Sequence, residues 1–456
     1  MDRIEWLPDG HNKVDRSSLP FRLTALLIQR LTLIFTTLIY TFTLYSIYLL
    51  EVAPAFAYQG FTYYPLTWKE YVTIAFFVIL PTIFAPSNII NVSKYIFFII
   101  YYLVYIPTIL MSAFRKPGYP SEDIPLFFAL LAAMVILGIF AKLPVLRFAR
   151  PKLTRLTWKY GLFFSLFAVY AFLVAKFGLH PPPSPLNPYD VRLAAREVGP
   201  LAGYLLRTAG NVLAPAVMAW ALFSKRPMRE WLLLFSIFLF ILVYSFDGTK
   251  STLFSPILIY SIWIIYKYKI TISKIIIYIS ILLIISIIVD ILLGKPILTA
   301  IGIRRLAFTP GLLTGYYYEY FIFQKHQIYF YSHSFLSSFF ENPYGVAPAF
   351  LIGKLYLGSE VASANANLFA DAIANIGLIG VPLLAIMAGL YVYLLRVLSG
   401  GCEVVALLLA AVPIFALTNT SFFTALLTHG LFLSGFLIWL FPKKYIINEC
   451  YPNKIK

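Results

Sequence analysis

Long apolar stretches, interrupted by short polar punctuation, run along almost the whole chain. A helix needs about 20 residues to cross a bilayer. Candidate stretches fall at 31–50, 71–87, 95–113, 124–141, 160–177 and 204–223, and again at 231–246, 253–266, 275–293, 377–395, 404–420 and 425–441, the two short ones at 231 and 253 borrowing flanking polar residues. The pattern predicts an all-α, polytopic integral membrane protein of about twelve transmembrane helices, forming one membrane domain over 1–456. Two outer connections, 178–203 and 294–376, are much longer than the others, and loops of that length tend to carry function. The second holds apolar stretches at 306–323, 328–340 and 346–357, which read as amphipathic helices lying on or dipping into the outer leaflet. A re-entrant pair there would need protein or a water-filled cavity to shield its backbone. No repeat of fixed period and no inverted two-half symmetry is visible, which weakens a transporter reading.

Composition sharpens this picture. Of 456 residues, 61% are hydrophobic and 12% charged, which excludes a soluble globule and leaves no room for a large separate soluble domain. Lys and Arg outnumber Asp and Glu by 36 to 19; on a membrane protein that excess is an orientation signal before it is a nucleic-acid signal. With both termini cytoplasmic, the inner side carries 23 Lys and Arg against seven acids, and the outer side 13 against 11, the remaining acid, Asp290, falling near the outer end of its span. The positive-inside rule therefore supports that orientation. Cys402 and Cys450 are too few for a disulfide framework or a Cys-rich metal site. The N-terminal stretch carries Asp2, Glu5, Asp9 and Asp15 ahead of any apolar run and does not look like a cleaved signal peptide.

The candidate chemistry concentrates in the two long loops. Arg192 and Arg196 lie one helical turn apart, a spacing that lets two guanidinium groups clamp a diphosphate; pairing with Asp190 and Glu197 is the plainer alternative. Arg207 follows at the start of the next span, where it can snorkel outward. The second loop carries Arg304 and Arg305, then Tyr316, Tyr317, Tyr318, Glu319 and Tyr320. A basic pair beside tyrosines suits a phosphorylated, sugar-bearing lipid, although tyrosines at this level also form an ordinary aromatic belt. In the turn at 245–252, Lys250 is either a salt-bridge partner of Asp247 or a second cation for a diphosphate. Asn367, Asp371 and Asn375 recur every four residues and form one polar stripe, which is either packing glue or a site with Asp371 as base. His180, His326, His333 and His429 show no metal-ligand spacing, and neither a metal nor a cofactor is expected. Phosphate-binding glycine loops and the GxSxG elbow are also missing from the sequence.

Taken together, the arginines at 192 and 196 with Glu197, the turn Gly248-Thr249-Lys250, Arg304 and Arg305 with Pro310-Gly311, and Asp371 with the run from Asn375 to Gly380 resemble the oligosaccharide repeat-unit polymerases of bacterial surface polysaccharides, the O-antigen polymerase (Wzy) type. Lys250 stands where arginine is common in that family. The resemblance implies a glycosyltransferase-C-like membrane fold in the bacterial inner membrane and metal-independent transfer between two polyprenyl-diphosphate-linked oligosaccharides at the outer leaflet. It also implies Arg192, Arg196, Arg304, Arg305 and Asp371 as catalytic residues, with Lys250, Arg207, Glu197, Tyr316, Tyr317, Glu319 and Asn375 as substrate contacts. Membrane lipids, a chain-length regulator and a flippase are the implied partners. An O-antigen ligase or other lipid-linked glycosyltransferase, and a lipid-linked oligosaccharide flippase, are the competing classes. A working outer-loop histidine would favour the ligase, and charges deep within the spans the flippase.

Overall fold

The computed structural model describes residues 19–115, 121–146, 151, 154–324, 327–331, 333, 336–337 and 339–442. His326 and Cys450 lie outside them, as do Arg147, Arg150 and Lys152, three of the basic residues expected on the inner side. Among the described residues every regular element is a helix, with one isolated backbone bridge between Asn88 and Thr271. Eight helices among the described residues are long and apolar enough to cross a membrane, as expected of a multi-pass membrane protein. They are α1 (Thr24–Gln59), α3 (Val92–Arg115), α4 (Ile124–Lys142), α5 (Leu156–Phe177), α7 (Pro200–Leu222), α8 (Met228–Asp247), α10 (Ile272–Leu293) and α13 (Leu368–Leu398). The four remaining predicted spans fall on shorter helices: α2 (Trp68–Phe84), α9 (Lys250–Lys267), α14 (Glu403–Ala416), and the pair α15 (Phe422–Leu427) and α16 (Leu431–Leu440).

Local sequence explains where the helices begin. Thr67 starts α2 with a capping box to Glu70, Asn91 caps α3 through the Lys94 N–H at 3.0 Å, and Asn367 caps α13 through the N–H groups of Phe369 and Ala370. At one end of the bundle a buried clasp ties four helices together. Arg396 donates to the Phe140 and Leu143 carbonyls at the end of α4 and pairs with Glu403 at 2.9 Å, while Asn91 donates to the other Glu403 oxygen at 3.0 Å. Both partners are satisfied, which an ion pair in a low-dielectric interior requires.

The two long connections fold differently from each other. The first holds the short helix α6 (Tyr189–Glu197). The second opens with a π-helical segment (Thr299–Phe308) that runs into α11 (Thr309–Tyr318) and a second π-helical segment (Glu319–Gln324), then α12 (Pro348–Leu357). The expectation of helices on the membrane surface fails for α11. Every residue from Pro310 to Tyr318 is buried, because Gly311 lets the helix sit directly on the α3 backbone at Pro107 and Thr108. A Cβ there would come within 2.5 Å of the Pro107 carbonyl. The stretch at 328–340 forms turns, where helix was expected, among its described residues.

Candidate functional site

One end of the bundle gathers cations from three separate segments. Arg192 on α6 donates from Nε and Nη2 to the Gly248 carbonyl, at 3.2 and 3.0 Å, so α6 is latched onto the turn between α8 and α9. Gly248 is required there: its φ is +60°, and the Pro188 Cβ lies 2.8 Å from where a side chain would start. In the same turn Asp247 accepts from the Thr249 N–H at 2.8 Å and from its hydroxyl at 2.5 Å, and pairs with Arg207 at 3.5 Å. Asp247 is thus committed to Arg207, and the expected Asp247–Lys250 pair does not form. Arg207 also reaches the Thr249 hydroxyl, with 37% of its side chain exposed, so it turns into the turn instead of only snorkelling outward.

Lys250 follows, with no hydrogen-bond or ion-pair partner among the described residues. Burial, and after it the positive charges of Arg192, Arg305 and Arg304, lowers its ammonium below the ordinary lysine range. Those four cations, drawn from α6, α9 and the π-helical segment, therefore share one electrostatic neighbourhood. Arg304 donates from Nη1 to Gln59 Oε1 and lies 4.6 Å over the Phe56 ring at the far end of α1. Arg305 is exposed and has no partner among the described residues.

Two buried carboxylates mount the segment that carries this pair. Asp290 at the end of α10 accepts from the Leu298 and Thr299 N–H groups, both at 2.8 Å, and the Thr299 hydroxyl donates to Glu51 of α1. Glu51 sits just past the predicted end of its span and was not expected to be functional.

Beside this neighbourhood the tyrosines point inward. Tyr316, Tyr317 and Tyr318 are at most 7% exposed, so they form neither an aromatic belt nor an open sugar platform. Tyr317 donates to the Ala364 carbonyl at 3.2 Å, and Tyr318 to that of Glu122 at 2.6 Å. Tyr316 stacks on Tyr356 at 4.3 Å, and the Arg115 guanidinium lies 5.0 Å from its ring. Glu319 pairs with Arg115 at 3.5 Å. Arg115, at the end of α3, had no signal in the sequence beyond its place at a span boundary.

The polar stripe divides into three roles. Asn367 donates to the Thr314 hydroxyl at 2.7 Å, gluing α13 to α11. Asn375 is fully buried; its oxygen accepts from the Phe330 N–H and its nitrogen donates to the Asp371 carbonyl, both at 2.7 Å. Its amide therefore holds the 328–331 segment and is not open to substrate. Gly377, at φ +68°, and Gly380, packed on the Ala372 carbonyl, break α13 just beyond it. Two residues past the segment that Asn375 holds, His333 lies against Asp371, Nε2 to Oδ1 at 3.4 Å, with side chains 9% and 13% exposed. The second Asp371 oxygen is buried and has no hydrogen-bond partner among the described residues. Phe423 of α15 packs on the His333 ring at 5.8 Å, and His429 follows α15 with its Nδ1 3.0 Å from the Thr428 hydroxyl.

Glu197 is exposed at the end of α6, and the Arg196 side chain lies outside the described residues. Among the described residues no group of three His, Cys, Asp or Glu could hold a metal ion. No protein-family model, curated protein or solved structure matches the chain.

Proposed function

We propose that the chain is a membrane glycosyltransferase that joins polyprenyl-diphosphate-linked oligosaccharide repeat units and releases polyprenyl diphosphate, with twelve crossing helices and both termini on the cytoplasmic side of a bacterial inner membrane. One observation carries the reading. Lys250, Arg192, Arg304 and Arg305 share one neighbourhood, and Lys250 and Arg305 have no protein partner among the described residues. Uncommitted cations placed together favour a multivalent anion, and a diphosphate supplies one.

In this mechanism an acceptor hydroxyl attacks the anomeric carbon of the donor sugar as the bond from that carbon to the diphosphate oxygen breaks. The bonding electrons leave with the polyprenyl diphosphate, whose growing charge the cations stabilise in a low-dielectric site. The acceptor proton passes to His333, whose Nε2 lies 3.4 Å from the Asp371 carboxylate. That pair also favours a second reading, ligase-type transfer of the glycan to a lipid A core.

Purified protein in liposomes, supplied with a lipid-linked repeat unit and analysed by liquid chromatography and mass spectrometry, separates these readings. A ladder of lipid-linked multimers supports polymerisation. Product only when a lipid A core acceptor is added supports ligation, and movement of unchanged substrate across the bilayer would mean a flippase.

A further inference from the structure

At the opposite end of α1 and α10 from the cation cluster lies a cavity of about 190 Å³, whose polar lining is Gln29, Arg30, Thr32, Ser87, Thr271 and Ser273. Arg30 does not dangle into it. Its Nη1 donates to the Thr82 and Ala85 carbonyls at the end of α2, at 3.0 and 2.6 Å, which fixes the guanidinium plane. Its Nε and Nη2 make no hydrogen bond among the described residues, so the edge whose two N–H groups match a pair of phosphate oxygens is left over. Thr271 precedes the 22-residue α10 without a side-chain capping bond, so the first N–H groups of that helix add partial positive charge beside Arg30. Next to the cavity, Leu26, Leu27, Ile28 and Leu31 of α1 are 55–59% exposed, an apolar surface of the kind acyl chains cover.

We infer that this cavity holds the phosphate of an anionic phospholipid, gripped by the free edge of Arg30 and the start of α10, with the acyl chains lying along the exposed leucines of α1. A basic pocket between helix ends is the expected form of such a site. The inference is independent of the glycosyltransferase reading, but it has a consequence for the far end. The same two helices carry Glu51 and Asp290, which mount the segment bearing Arg304 and Arg305, so the lipid would brace that mounting.

Native mass spectrometry of purified protein titrated with phosphatidylglycerol or phosphatidylcholine tests it. The wild type should retain phosphatidylglycerol about tenfold more tightly, because both lipids offer a phosphate but the choline ammonium of phosphatidylcholine offsets that charge beside Arg30 and the positive start of α10. Arg30→Ala should lose the preference, but it also strips two carbonyls of their donor. Ser273→Asp leaves those bonds alone, suits the start of a helix, and places a negative charge in the cavity, so it should lose the preference while keeping the fold. Equal retention of the two lipids by the wild type, or a preference unchanged in Ser273→Asp, would overturn the site. If inorganic phosphate alone stabilises the protein against heat as much as phosphatidylglycerol does, the ligand is a free anion and the lipid assignment is wrong.

Discussion

Replacing Arg192 or Arg304 by alanine should slow glycan transfer about a hundredfold, the usual cost of removing one donor that stabilises transition-state charge. The check is single-turnover release of polyprenyl diphosphate from purified, folded variants. Lysine should rescue Arg192 poorly, because its two donors to the Gly248 carbonyl come from one planar fork. Lys250 sets a pH limit. Its ammonium is held below the ordinary lysine range, so it loses its proton at a lower pH than a free lysine, and diphosphate binding should weaken as pH rises through that value. In Lys250→Arg the alkaline limb should move upward; a limb that stays in place assigns it to another group. His333→Ala should cut turnover by a hundredfold or more while leaving donor binding intact, since it removes a base and not a phosphate contact. The cations themselves were legible in the sequence, because Arg192, Arg304 and Arg305 stand out in long connections expected to face outward, against the orientation bias. The commitment of Asp247 to Arg207, the inward turn of Asn375, and the pairing of His333 with Asp371 were not. Each depends on contacts across a loop or between helices that spacing alone does not encode.

At the scale of elements, α11 is where the sequence misled. Its tyrosines and its place in a long connection suggest a surface helix, yet its interior position follows from one residue, Gly311, whose missing side chain admits the α3 backbone. Gly311→Ala should destabilise the protein by about 1–3 kcal/mol, the cost of forcing atoms into a packed contact. Thermal unfolding in detergent would show this, with Gly302→Ala as the control, since a Cβ at Gly302 meets nothing within 4 Å. Equal melting temperatures for the two variants would mean that α11 does not press on α3 as described. The helices themselves were readable because an apolar run of spanning length needs no tertiary information. The π-helical segment that presents Arg304 and Arg305 was not, because its geometry depends on Asp290 and Glu51 meeting Thr299 from two other helices.

For the whole molecule, the charge asymmetry predicts which end faces which compartment. A cysteine at Ser184 should react with an impermeant thiol reagent from outside the cell and one at Thr154 should not; the reverse pattern would put the cation cluster on the cytoplasmic side. The central claim is that α6 and the π-helical segment, far apart in sequence, supply cations to one diphosphate. A double-mutant cycle on the rate of polyprenyl diphosphate release, combining Arg192→Ala with Arg304→Ala, tests it most directly. One shared site predicts that the double variant loses clearly less, or clearly more, than the product of the two single losses, with a coupling of about 0.5–3 kcal/mol. If the losses multiply independently, or if both single variants release polyprenyl diphosphate at the wild-type rate, the two segments do not act on one leaving group.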